Sequence, residues 1–193
     1  MKKWIVLIIV AIVAGFTLMG SYNGLVKAEE EIESVWANVE SSYQRRADLI
    51  PNLVNTVKGQ ADFEKNTLTQ VIEARAKATQ TKIDPANLSE EQLAKFQQNQ
   101  NEVSSALSRL LVTVEQYPTL KANEGFMNLQ AQLEGTENRI NVARNKFNEA
   151  ARVYNQKVRQ FPTKLVAILF GFKEKPYFKS AEGAETAPVV NFN

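Results

Sequence analysis

Apolar side chains along this chain return every three or four positions, and no long stretch beyond residue 26 alternates with period two. That spacing predicts amphipathic helices, not half-buried strands. The longest stripe runs through Phe126, Leu129, Leu133, Thr136, Ile140, Ala143, Phe147, Ala150, Tyr154, Val158 and Phe161. It is a narrow seam of the kind that packs against other long helices. Pro162 ends it, because the residue before a proline is driven out of helical conformation. A second stripe, Leu93, Phe96, Gln100, Val103, Leu107, Leu110, Val114 and Tyr117, starts behind Ser89. Gln92 stands three residues after that serine as a capping-box partner, Pro118 stops the helix, and Asn123 is placed to cap the next one. The first stripe is Leu25, Ile32, Val35, Val39, Ser42, Arg46, Ile50, Leu53 and Val57, flanked by Trp36 and Tyr43. Pro51 inside it predicts a kink, and Gly59 with Asp62 marks either a turn or a bent continuation. A further helix, about Asp62 to Lys82, carries Leu68, Val71, Ile72, Ala74 and Ala78 and closes at Asp84-Pro85.

The N-terminus follows a different pattern. Met1-Lys2-Lys3 precedes an uncharged stretch from Trp4 to Val26, and Glu29, Glu30 and Glu31 lie beyond it. As helix, that stretch reaches ~35 Å, enough for a hydrocarbon core of ~30 Å. The lysines before it place the N-terminus in the cytoplasm by the positive-inside rule. A cleaved signal peptide fits less well: the apolar run is long, and Leu18-Met19-Gly20 is a poor cleavage site. Ala11 with Gly15, and Gly20 with Gly24, put small residues one turn apart, which suits either close helix approach or a plain lipid-facing helix.

The expected fold is therefore all-α: an N-terminal transmembrane helix continuing into a long antiparallel four-helix bundle. Residues 1–3 would be cytoplasmic, 4–21 the anchor, 22–178 the extracytoplasmic bundle and 179–193 a disordered tail. A first helix rising from the membrane and a last one returning to it would put Phe161 near the membrane surface. The apolar run from Leu165 to Phe172, with Ile168, Leu169 and Phe170, is too short to span a bilayer. Lys164, Lys173 and Lys175 flank it. Two readings stand: a cap on the membrane-proximal end of the core, or a foot lying in the interface with its lysines at the headgroups.

Composition narrows the chemistry. The 193 residues include no Cys and no His, which excludes a thiolate nucleophile, a disulfide, a His-based triad and an ordinary zinc site. Lys and Arg number 23 against 21 Asp and Glu. Setting Lys2 and Lys3 aside leaves a formally neutral remainder with no basic stripe, so no nucleic-acid partner is expected. A carboxylate di-metal site would ordinarily use Glu-x-x-His pairs, so no metal and no cofactor is expected. Glu29, Glu30, Glu31 and Glu33 read as a solvated helix face. Arg46 is a charge on an apolar stripe and needs a partner, for which Glu137 beside the last seam is suited. Gln100 also falls on a core stripe, so Arg46, Gln100 and Glu137 form a candidate polar layer, either setting helix register or binding a ligand or proton.

Several segments carry a family resemblance. Tyr22-Asn-Gly-Leu-Val26, Arg45-Arg-Ala-Asp-Leu-Ile-Pro-Asn-Leu-Val54 and Val57-Lys-Gly59 are followed by Tyr117-Pro-Thr-Leu-Lys-Ala-Asn123 and Leu133-Glu-Gly-Thr-Glu-Asn-Arg-Ile140. Tyr154-Asn155, Phe161-Pro162 and Gly171-Phe172 complete the series. Together, over about Trp4 to Phe178, they resemble the LemA family. The resemblance implies a bacterial membrane protein with one N-terminal span and an extracytoplasmic helical bundle, and it implies no reaction. Magnetosome-associated relatives point by analogy toward membrane organisation. The family's motif positions fall on Arg45, Arg46, Asp48, Pro51, Asn52, Glu137, Asn138 and Arg139. The function expected is a non-catalytic, membrane-anchored scaffold that engages another envelope protein or copies of itself. A lipid-organising protein using residues 165–172 is the alternative, and a carboxylate-only enzyme a distant third.

Overall fold

The computed structural model describes residues 2–59 and 64–179. Asp62 and residues 180–193 of the expected tail lie outside the described residues. All regular structure among the described residues is helical: α1 (Lys2–Lys58), α2 (Lys65–Gln80), α3 (Glu90–Val114), α4 (Pro118–Lys121), α5 (Glu124–Arg159) and α6 (Thr163–Phe170). α1 has 57 residues and extends ~85 Å. Its side chains from Lys3 to Gly20 are exposed, and burial of one stripe begins at Leu25. This first part of α1 is long and apolar enough to cross a membrane.

Helix ends follow local chemistry. The Ser89 side chain accepts from the Gln92 amide at 3.2 Å, and the Gln92 side chain accepts from the Ser89 amide at 3.0 Å, closing a capping box on α3. Asn123 Oδ1 accepts from the Phe126 amide at 3.0 Å at the start of α5. Gly171, at φ 78°, provides the left-handed residue that ends α6, and the Phe172 amide donates to the Ala167 carbonyl at 2.9 Å.

Pro51 does not end α1, which continues to Lys58. A proline has no N–H to donate to the carbonyl four residues back. That carbonyl belongs to Ala47, and Arg75 Nε of α2 donates to it at 2.6 Å. The guanidinium thus supplies the donor that the proline removes. Arg75→Leu should cost about 1–3 kcal/mol, the range for a carbonyl left without its partner. In a Pro51→Ala background the helix amide returns, so the same substitution should cost much less. Urea unfolding of the four-variant cycle in detergent checks this, and equal costs in both backgrounds would refute it.

α1 packs along α5 and α2 along α3, while α6 closes against α1 and α5. The core has two apolar clusters. One gathers Leu25 to Tyr43 of α1 with Phe96, the Ile140–Val158 part of α5, Val166, Ala167 and Phe178. The other gathers Ile50 to Val57 with α2, the Val103–Val114 part of α3, Leu120, Phe126 and Leu133. They meet at the level of Arg46, Gln100 and Thr136. Burial follows the three long stripes closely, with shifts in α5. Ala151 and Asn155 are fully buried beside the expected seam, whereas Phe161 is 80% exposed. α5 ends at Arg159, so Phe161 falls after the last helical turn and leaves the seam. The 165–172 run is divided: Val166 and Ala167 are buried, Phe172 packs partly against the core, and Leu165, Ile168, Leu169 and Phe170 are exposed.

Candidate polar layer and strap contacts

Arg46, 3% exposed, sits between the two apolar clusters and donates from both terminal nitrogens of its guanidinium. Nη1 donates to Ser104 Oγ at 2.8 Å and to Glu137 Oε2 at 3.0 Å. Nη2 donates to Gln100 Oε1 at 2.7 Å and to the Gln100 carbonyl at 3.1 Å. The Tyr43 ring lies 5.1 Å from the guanidinium carbon, a cation–π distance. Burial pushes the Tyr43 phenol above its ordinary value, opposed by the charges of Arg144 and Arg46. The Glu137 side chain is 47% exposed, so only the cation of this pair is deeply buried. These four bonds link α1 to α3 and α5, so a slip of one helix would break several of them at once.

The structure thus brings Arg46, Gln100 and Glu137 together and adds Ser104, which neither apolar spacing nor charge marks. A cavity of about 60 Å³ opens beside Arg46, lined by Trp36, Tyr43, Arg75, Phe96 and others. Small-molecule sites measure ~300–1,000 Å³, so this space suits water better than an organic ligand. The remaining motif positions do not converge there. Arg45, Asp48, Pro51, Asn52, Asn138 and Arg139 are all exposed. Asp48 accepts from Gln44 Nε2 at 2.8 Å along its own helix. Among the described residues, no three acidic groups gather in a metal-holding arrangement.

A second constellation lies where the extended segment after α6 runs back over α5. Three amide side chains bracket its backbone. Asn155 donates to the Lys175 carbonyl and accepts from the Lys175 amide, both at 2.8 Å. Asn148 does the same for Phe178, at 3.0 and 2.8 Å. Gln97 of α3 donates to the Lys179 carbonyl at 2.6 Å, and Arg144 donates to it at 2.7 Å. The brackets give this strap the backbone pairing a strand would obtain from a sheet. Lys175, 5% exposed, reaches Glu29 Oε1 at 3.0 Å and the Ala86 carbonyl, and lies over the Tyr154 ring at 5.6 Å. Burial, with the Glu29 carboxylate nearby, pushes the Tyr154 phenol above its ordinary value. Glu29 therefore departs from the solvated acidic face expected for it: it is the counter-ion of a buried lysine, which a chain partner 146 residues away supplies.

Sequence reasoning missed these strap contacts, although a signal was present. Asn148 and Asn155 are seven residues apart, each immediately after an aromatic of the seam. That spacing places two amides on one helix face.

The sequence model of the LemA family matches residues 35–192. The chain belongs to the LemA family. Similar proteins include Magnetosome protein MamQ 2 of Paramagnetospirillum magneticum, 29% identical over 202 residues, covering 96% of this chain and 73% of that protein. Magnetosome protein MamQ of Magnetospirillum gryphiswaldense is 28% identical over 191 residues, or 90% and 70% of the two chains. Protein LemA of Metamycoplasma hominis is 23% identical over 167 residues, or 86% and 73%. The LemA match contains the polar layer and most of the strap's contacts, Glu29 excepted, and it starts beyond the exposed apolar part of α1.

Proposed function

We propose that this LemA-family chain is a membrane-anchored, non-catalytic scaffold. Residues 4–21 cross the cytoplasmic membrane with the N-terminus inside. Residues 22–178 form an extracytoplasmic, antiparallel four-helix bundle whose sides engage an envelope protein or further copies of the chain. The observation that carries this reading is the continuity of α1: one uninterrupted helix joins an exposed apolar stretch to the buried stripe that starts at Leu25. Such a joint holds the domain at a set height and orientation, which suits a protein that positions others.

Pairing supports the antiparallel arrangement. Lys157 Nζ donates to the Gly24 carbonyl at 3.2 Å, whereas Glu137 meets Arg46, so rising numbers in α5 oppose falling numbers in α1. Lys77 with Glu102, and Thr81 just past α2 with Asn99, support the same opposition between α2 and α3. The Arg46 layer serves this scaffold by setting register between the apolar clusters.

Photo-crosslinkers at exposed sites on the outer faces of α1 and α5, such as Asn38 and Val142, test the proposal in intact membranes. A discrete adduct with one envelope protein or with a second copy is expected. Adducts with lipid alone, from positions this far along the domain, would refute the scaffold reading.

A further inference from the structure

A short helix that faces water on one side ordinarily carries polar residues there. α6 does not. Val166 and Ala167 are buried against the core, yet the opposite face is Leu165, Ile168 and Leu169, at 55%, 71% and 74% exposure. Phe161 stands just before the helix, also exposed. Such a concentration of exposed large apolar side chains in one short segment is of a kind that soluble surfaces seldom leave uncovered.

Its position identifies what covers it. Phe170 and Phe172 pack on the Tyr22 ring at 4.8 and 5.8 Å between centroids. Tyr22 directly follows the exposed apolar stretch of α1 and precedes Leu25, where burial begins. α6 is therefore held beside the junction between the apolar stretch and the packed domain. Lys164 and Lys173, exposed at either end of α6, can reach phosphate headgroups while the apolar face enters the acyl boundary. Helices of this type seat ~5–10 Å into that boundary.

We propose that α6, with Phe161, is an interfacial foot: it seats in the outer leaflet of the same bilayer that α1 crosses, and the anchor and foot together fix the tilt of the domain. This inference rests on the reading of residues 4–21 as a membrane span. The chain has no Cys, so a single cysteine can be introduced for an environment-sensitive fluorophore without background. Full-length protein carrying Ile168→Cys, Leu169→Cys, Val10→Cys or Gln98→Cys would be labelled and reconstituted in vesicles of phosphatidylcholine and phosphatidylglycerol. Labels at positions 168 and 169 should emit to the blue of the label at 98. They should be quenched strongly by shallow lipid-borne nitroxide and weakly by aqueous iodide. Quenching by lipid at position 10 but not at 168 or 169, with free access of iodide there, overturns the foot alone. Protection of 168 and 169 from both quenchers, with a dimeric mass, also overturns it, because a second copy then covers the face. No lipid quenching at position 10 overturns the membrane anchor itself.

Discussion

Phe178→Ala should lower the unfolding free energy by about 3–5 kcal/mol, the range for truncating a buried phenylalanine. The ring is 5% exposed although it belongs to a strap with no regular structure. It stacks on Trp36 at 6.0 Å between centroids with a 5° interplanar angle. The Phe147 ring meets it edge-on at 5.4 Å, and the Arg144 guanidinium carbon lies 5.0 Å from its centroid. Among the described residues of the strap it is the hydrophobic side chain that is buried, so the truncation weakens docking of the strap as well as packing of the core. Two measurements check this. Urea unfolding in detergent micelles, followed by Trp36 emission in a Trp4→Phe background, should show the loss. Under native conditions the same emission should move to the red as water reaches the indole. An unchanged midpoint and spectrum would mean that the strap contributes nothing to the cooperative core.

Glu137→Ala should destabilise the domain by about 2–3 kcal/mol, and more than Arg46→Met does. Removing one partner of a buried ion pair costs ~3–5 kcal/mol because the other charge stays behind. Here the two charges differ in exposure. Arg46 remains confined at 3% exposure with only neutral acceptors, whereas Glu137 at 47% turns to water when its partner goes. Arg46→Met keeps the volume of the side chain and leaves only the Gln100 and Ser104 groups short of a donor, a cost of about 1 kcal/mol. The double variant should be more stable than Glu137→Ala alone, since it carries no buried orphan charge. Denaturant midpoints of the four proteins form a double-mutant cycle. Additive costs would show that the pair is not coupled as the hydrogen bonds indicate, and a larger loss for Arg46→Met would refute the predicted asymmetry.

The helices and their buried faces were legible because helical burial is periodic and depends on residues a few positions apart. Leu93, Phe96, Gln100, Val103, Leu107, Leu110 and Val114 all lie at three–four spacing and are all buried. The capping box on α3 was legible for the same reason, since its two partners are three residues apart. Phe161 was misplaced because spacing alone does not mark the residue at which α5 stops. Arg46 and Gln100 could be singled out as polar residues on apolar stripes. That Ser104 would join them depends on the rotation of α3 relative to α1, which no single helix records.

What the sequence by itself determined is the four longer helices, most of the stripe that each one buries, and an apolar N-terminal stretch long enough to cross a bilayer. Each is a property of neighbours within one or two turns, where covalent geometry dictates distance. What only the tertiary structure decided is which distant groups complete one another. Arg75 answers the carbonyl that Pro51 leaves open, 28 residues away. Lys175 neutralises Glu29, and three amides on α3 and α5 hold a strap that has no hydrogen-bonding pattern of its own. The two faces of α6 were equally apolar in the chain, and only packing buried one and left the other beside Tyr22. Such pairings depend on how helices are placed in space, and periodicity along one chain segment carries no information about that placement.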